Sequence, residues 1–359
     1  MRPRRLIVLA VYPSSQAGTR LRGEQFLPAL QEAGLTTHVW SLFTETASER
    51  WFSARTPSHR LVAVLACLPQ LVRLTCLLGL LRPVDVVVVL REALPLATAA
   101  VERWVAARCC LVWDVDDAIW VDHPGLLGQG RRPWWRGGEK KYRRVAGSAH
   151  EIWAGSEVLA QWCRRSGTPV WVLPTVVALP PGTPGRVERQ GVGWIGSSST
   201  APFLAEVLPA LVGLTDRVRV VGAELDGPDE GPAVAWRPWS QLAEDELLRS
   251  VRVGLYPIAP DHPLAEGKAG LKAVLYMAHG LPCVVTPTRT VGELVQAGAQ
   301  GLHARTHAEW RDAVQRLCDD DDLWDLLAQR ARDRAREFSL QLWAPRVVDR
   351  VTALGRRRP

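Results

Sequence analysis

The hydrophobic positions of this chain fall into two alternating textures. Short, near-continuous apolar runs at 6–11, 37–42, 85–90, 110–114 and 151–154 are separated by stretches, such as 20–33, in which apolar residues recur every three or four positions. The first texture is that of strands buried on both faces and the second that of amphipathic helices, so their alternation predicts a parallel sheet covered on both sides. Between 179 and 190 the text becomes Pro-Pro-Gly-Thr-Pro-Gly-Arg-Val-Glu-Arg-Gln, polar and without period, which reads as a linker. The alternation then restarts, with strands at 192–195, 218–221, 253–257 and 282–286 and helical patterns at 309–317, 323–338 and 340–354. The expectation is an α/β protein with two doubly wound, Rossmann-like domains facing across a cleft. They cover 1–180 and 181–340, and a final helix and basic tail, 341–359 with Arg356, Arg357 and Arg358, pack back on the first domain. Ligands of such domains bind at the carboxyl ends of the strands, which directs attention to the residues that follow each strand.

Composition agrees with a globular chain of about two domains: 359 residues, 47 % hydrophobic and 23 % charged. The seven cysteines are an odd number without a Cys-x-x-Cys pair, which argues against a zinc site and a disulfide framework and makes the cytoplasm the expected compartment. The basic start precedes a short apolar run without a small-residue cleavage site, so it reads as a first strand rather than a signal peptide. Residues 61–81 are long enough to tempt a membrane span. Pro69, Gln70 and Arg73 in the middle argue against one, a central Arg alone costing about 2.5–3.5 kcal/mol.

The +7 net charge is uneven: 1–180 hold 22 Lys+Arg against 14 Asp+Glu, and 181–359 hold 22 against 23. A basic first half suits anionic lipid, a phosphorylated ligand or plain solvation, and no finger, basic zipper or ribonucleoprotein motif accompanies it, so nucleic acid is not an expected partner. With Arg131-Arg132-Pro133-Trp134-Trp135-Arg136, the 61–81 segment points to peripheral association with an anionic membrane. The plainer alternative is that 61–81 is a buried helix.

Four segments at strand ends carry chemistry. In the first, Gly18 leads into a helix expected to begin with Arg20 and Arg22. Two cations there oppose the macrodipole and call for an anion, or they lie in a solvated loop. In the second, Asp114, Asp116 and Asp117 crowd three carboxylates into four residues, and their repulsion calls for a partner or a function. Ala118 argues against a haloacid-dehalogenase-type phosphatase, and the two-domain layout against a metal-binding Asp-x-Asp. An acidic edge touching a sugar or acceptor remains, beside simple helix capping by Asp116 or Asp117. In the third, Gly196 and Ser197 open a hydroxyl-rich turn whose backbone N–H groups suit an anion or cap a helix. In the fourth, Glu266-Gly-Lys268-Ala-Gly270-Leu-Lys272, the lysines share one face if the segment is helical. That spacing is unfavourable unless an anion such as a diphosphate sits between them, or they lie on a solvated face.

Together these pieces resemble the retaining glycosyltransferases of family 4, the group 1 type with the GT-B fold. The resemblance rests on Gly18-Thr-Arg-Leu-Arg22, Leu90-Arg91-Glu92, Asp114 to Trp120, Ile152-Trp-Ala-Gly-Ser156, Gly193-Trp-Ile-Gly-Ser197, Glu266 to Lys272 and Tyr276-Met-Ala-His-Gly-Leu-Pro282, in that order. It implies transfer of a sugar from a nucleoside diphosphate sugar to a hydroxyl of a glycan or glycolipid, with retention, in cell-surface polysaccharide or glycolipid synthesis. It implies a cytoplasmic location, peripheral on the inner membrane face, no metal, and no cofactor beyond the co-substrate. By the same resemblance Lys268, Lys272, Gly196 and Ser197 take the diphosphate, Glu266 the donor sugar hydroxyls, and Asp116 or Asp117 act beside an acceptor side of Gly18, Arg20 and Arg22. Many members carry two glutamates eight positions apart. Aligned on the Met277-Ala-x-Gly-x-Pro stretch, Leu275 stands at the second and Glu266 falls one position from the first. The chain is similar instead to a branch reading Gly-Lys-x-Gly-x-Lys, and the missing glutamate keeps a second reading, a non-catalytic nucleotide-sugar-binding subunit or scaffold of a polysaccharide assembly.

Overall fold

A computed structural model describes residues 5–53, 56–121, 137–215, 217–225, 227, 232–259 and 265–355. The chain divides into two compact units. The described residues within 1–124, 130–175 and 343–359 form the first, and those within 176–342 the second.

The first unit is built on a parallel sheet of β1 (Arg5–Ala10), β2 (Thr36–Ser41), β3 (Val86–Leu90), β4 (Cys110–Val115), β5 (Glu151–Ala154) and β6 (Val170–Val172), in the order β2-β1-β3-β4-β5-β6. The central strands are buried throughout because helices cover both faces, which is why their sequences are near-continuous apolar runs, broken only by the ion-paired Asp114 and Glu151. The second unit repeats the plan with β7 (Val192–Ile195), β8 (Arg217–Val221), β9 (Ala233–Arg237), β10 (Val253–Tyr256), β11 (Cys283–Val285) and β12 (Gly301–His303), in the order β12-β11-β10-β7-β8-β9. Both units are Rossmann-like. Strand order reverses between β1 and β3 in one and between β7 and β10 in the other, and these switch points are where such sheets bind ligands.

The structure departs from the sequence pattern in places. It adds three strands to those expected, β6, β9 and β12: β6 and β12 are three residues long, and β9 is a partly exposed edge. The helix expected over 20–33 is broken into α1 (Ala17–Arg22), a 3-10 turn (Glu24–Phe26) and α2 (Leu27–Glu32). Arg20 and Arg22 therefore occupy the last turn of α1, where the macrodipole favours cations, and not the first. The apolar segment after α3 (Glu45–Ser53) forms α4 (Pro57–Leu65) and α5 (Leu68–Gly79), with only a narrow stripe of Ala63, Cys67 and Leu74 buried. It is not the buried helix of the plainer reading.

After α13 (His307–Asp319) and α14 (Asp321–Ala335), α15 (Leu340–Leu354) reaches the first unit, where Arg350 holds Glu151 at 2.8 and 2.7 Å and Trp343 meets Trp171 at 5.9 Å. All seven cysteines are free thiols. The Arg131–Arg136 stretch, residues 260–264 and the Arg356–Arg358 tail lie outside the described residues.

Candidate functional site

At the switch point of the second unit, α11 (Leu271–Ala278) packs directly on β10. Gly254 makes this possible, since any Cβ there would lie 2.9 Å from the Tyr276 ring, and Tyr276 donates its hydroxyl hydrogen to the Leu255 carbonyl at 2.9 Å. The first turn of α11 carries Lys272 over the end of β7. Its Nζ lies 4.7 Å from the Trp194 ring centre, 5.1 Å from that of Tyr256 and 3.3 Å from Thr200 Oγ1. Burial among these rings, with nearby Lys268, lowers the ammonium from its ordinary range to about 7. Beneath it Trp194 is fully buried, and its Nε1 has no hydrogen-bond partner among the described residues. This is a cation held by aromatic faces and a hydroxyl, with no carboxylate ion-paired to it among the described residues, an arrangement with charge to offer an anion.

Lys268 does not share a helical face with Lys272. Gly270, left-handed at φ +77, is the N-cap of α11, so Lys268 lies in the preceding turn. The two lysines are still electrostatic neighbours, as the shift of Lys272 records. Glu266 is exposed in the same turn. Its carboxylate accepts the Arg289 N–H at 2.9 Å and its carbonyl accepts the Thr290 hydroxyl at 3.3 Å, which fixes it against α12 (Arg289–Leu294). Gly196 departs from its expected role, because its N–H donates to the Val221 carbonyl at 3.0 Å and is not available to an anion. What glycine supplies there is room: a side chain would collide with the Trp194 ring, and Gly222, at φ +110, crosses tightly over the Gly196 carbonyl. Ser197 is exposed in the turn before α9 (Ala201–Val207), its Oγ 2.9 Å from Ser199 Oγ. Leu275, at the place of the second family glutamate, is in the core at 8 % exposure.

In the first unit the crowded carboxylates have their partners within the unit. Asp114 is buried and held by Arg22 at 3.0 and 2.6 Å, and Arg22 also donates to the Leu173 and Pro174 carbonyls at 2.7 and 3.0 Å. Arg22 is 2 % exposed, so it braces the ends of β4 and β6 and is no acceptor contact. Asp116 is gripped by Arg91 at 2.6 and 3.0 Å, and Asp117 lies 3.8 Å from the same guanidinium. Burial raises the Asp116 pKa, but Arg91 outweighs it and holds the carboxylate at about 2, a fixed anion rather than a proton carrier. Arg91 reaches it from a left-handed backbone, φ +62, pinned by Trp113 Nε1 donating to the Arg91 carbonyl at 2.7 Å. Among the described residues neither Asp116 nor Asp117 caps a helix; the cap of α7 (Glu139–Ser148) is Gly138. Gly18 sits in the first turn of α1 with open space around it, and Arg20 folds back on the Ser15 carbonyl at 3.3 Å.

Arg91, Trp194, Thr200 and Tyr256 carry no site role in the sequence reading. Arg91 and Trp194 enter it only within the matching pieces Leu90-Arg91-Glu92 and Gly193-Trp-Ile-Gly-Ser197, and the structure places Trp194 and Tyr256 in β7 and β10 themselves. Among the described residues no group of three or more His, Cys, Asp or Glu is arranged to hold a metal ion.

Two Rossmann-like units, each built on a parallel six-stranded sheet, are the architecture of the GT-B fold, and comparisons with known proteins agree. The chain is similar over 98 % of its length to a structure of Anabaena HepE in complex with UDP and glucose, with TM-score 0.67 and 13 % identity, covering all of that chain. It is similar over the same share to sucrose-phosphate synthase from Thermosynechococcus elongatus, with TM-score 0.70 and 13 % identity, covering 99 % of that chain. At such identities the likeness is one of fold. In sequence, residues 191–320 match the family described as Glycosyl transferases group 1. A curated relative, the D-inositol 3-phosphate glycosyltransferase of Nocardioides sp. (strain ATCC BAA-499 / JS614), is 30 % identical over 128 residues, which is 35 % of this chain and only 27 % of that protein.

Proposed function

We propose that the chain is a retaining group 1 glycosyltransferase of family 4 that moves a hexosyl unit from a nucleoside diphosphate sugar to a hydroxyl of a glycan or glycolipid. The observation that carries the reading is Lys272, a half-buried cation ion-paired to no carboxylate among the described residues, at the switch point of the second unit and within the segment that matches the group 1 family. Charge grows on the leaving diphosphate as the glycosidic bond breaks, and a cation aimed at it stabilises the transition state more than the ground state. Lys272 and Lys268 supply that charge, Ser197 a hydroxyl, and Gly196 the room for close approach. Glu266 addresses the donor sugar hydroxyls. In the first unit Asp116, kept ionised by Arg91, orients an acceptor hydroxyl, with Asp117, Gly18 and Arg20 assigned to the same acceptor side. No metal or cofactor enters this scheme besides the co-substrate. The cellular setting that fits is cell-surface polysaccharide or glycolipid synthesis, in the cytoplasm at the inner membrane face.

Release of free nucleoside diphosphate from UDP-, GDP- and TDP-sugars, with and without an acceptor extract, tests the reading. Leu275 favours the second reading, a non-catalytic nucleotide-sugar-binding subunit, since the core position removes one donor contact. That reading predicts donor binding by thermal shift, about 2.7 kcal/mol at 100 times the dissociation constant, without release in any acceptor mixture.

A further inference from the structure

α4 and α5 of the first unit present an apolar face to solvent. The buried stripe of Ala63, Cys67 and Leu74 is anchored by Trp40 Nε1 donating to the Gln70 carbonyl at 3.1 Å, and the sequence from 58 to 79 is apolar on its other faces too. Leu61, Val62, Val64, Leu65, Leu68 and Val72 are all exposed, Leu61 to 59 % and Val72 to 63 %. A helix that only covers a sheet carries polar residues on its outer side, and contiguous apolar surface of this kind marks an interaction site.

The charge around the face selects the occupant. From 50 to 84 the sequence holds Arg50, Arg55, Arg60, Arg73 and Arg82 and no Asp or Glu. Arg82 is paired with the buried Asp85, whereas Arg50, Arg60 and Arg73 are exposed. We infer that the α4–α5 face is a docking surface for an anionic lipid bilayer, with the two helices lying in the plane of the headgroups, apolar side chains inserted and arginines at the phosphates. The packed stripe holds the pair against the unit and opposes a spanning orientation.

The face is also joined to the loop after β1. Tyr12 meets Phe52 of α3 at 5.3 Å and Phe43 at 5.4 Å; Phe43 meets Trp51 at 5.7 Å, and Arg60 of α4 lies 5.9 Å from the Trp51 ring. This ladder of rings fixes the Tyr12–Gly18 loop beside the docking face, so docking brings the proposed acceptor loop to the bilayer. The inference deepens the membrane part of the function proposed above, and its test needs no donor sugar.

Flotation of the full chain with phosphatidylcholine vesicles and with vesicles containing one third phosphatidylglycerol reads the surface directly. The parent floats with the anionic vesicles and is released by high salt or an alkaline carbonate wash. Arg60→Gln with Arg73→Gln lowers the anionic partition roughly 25-fold, about fivefold per charge. Leu61→Ser with Val72→Ser lowers it at least tenfold, with an unchanged thermal midpoint because both positions are exposed. Failure of the parent to float with either vesicle overturns the proposal, as does undiminished flotation of the apolar pair. Retention after carbonate makes the segment a span, and a dimer by sedimentation that the apolar pair abolishes makes the face a contact between copies; either result also overturns it.

Discussion

Lys272 sits with its Nζ 4.7 Å from the centre of the Trp194 ring, a cation lodged on an aromatic face at the end of β7. Its pKa of about 7 lies far below that of a free lysine, so between about 7 and 10.5 the folded chain binds fewer protons than the unfolded one. Stability of the free protein therefore rises with pH across that window. Binding of a nucleoside diphosphate runs the other way, since the anion needs the protonated amine. Affinity should fall by severalfold from pH 6.5 to 8.5 and should become flat over that range in Lys272→Met. Thermal midpoints and calorimetric titrations at the two pH values check both signs.

Lys268 contributes differently because it lies in the turn before Gly270. Lys268→Ala should weaken donor use roughly 10- to 150-fold, the value of a charge-assisted hydrogen bond, with a folding change within about 0.5 kcal/mol. It should also raise the pKa of Lys272, since the two amines repel. A pH profile of diphosphate binding shifted upward in this variant reads the coupling.

The pair Arg91 and Asp116 is expected to separate acceptor use from donor use. Asp116→Asn should lower turnover while leaving donor affinity near that of the parent, and should destabilise by about 1–2 kcal/mol because Arg91, in a partly exposed site, loses its closely paired carboxylate and keeps only Asp117 at 3.8 Å. Chelators should not change activity. Donor affinity that falls together with turnover would place Asp116 on the donor instead.

Arg22 should behave as a structural residue. Arg22→Ala leaves Asp114 buried beside two strand ends without its cation, at about 3–5 kcal/mol by analogy with other broken buried pairs. Urea denaturation checks the loss, and any variant protein that stays folded should bind nucleoside diphosphate like the parent.

Much of this architecture is legible from the sequence for a physical reason. Strands buried on both faces need near-continuous apolar runs, so the strands around each switch point declare themselves, and the residues just beyond them are the right places to look. What stays hidden is tertiary. Asp114 and Arg22 are 92 residues apart, and Asp116 and Arg91 are 25 apart, so the acidic cluster is visible while its neutralising arginines are not. The lysine spacing suggests one helical face, but the left-handed Gly270 starts the helix between the two. Nor does a lysine at the first turn of a helix announce burial. That comes from Gly254 admitting Tyr276 and drawing α11 onto the sheet. The outward apolar face of α4 and α5 is likewise visible only when the narrow buried stripe is known, because composition alone fits a core helix equally well.

The central claim is that Lys272 receives the diphosphate of a nucleotide sugar. Its most direct test is calorimetric titration of UDP, GDP and TDP into the parent and into Lys272→Met at pH 6.5. The account predicts that the parent binds one of the three, that the variant binds it at least tenfold more weakly, and that the variant is as stable as the parent or more so, since a desolvated charge has been replaced by an apolar chain of similar length. Equal binding by the two proteins would contradict it.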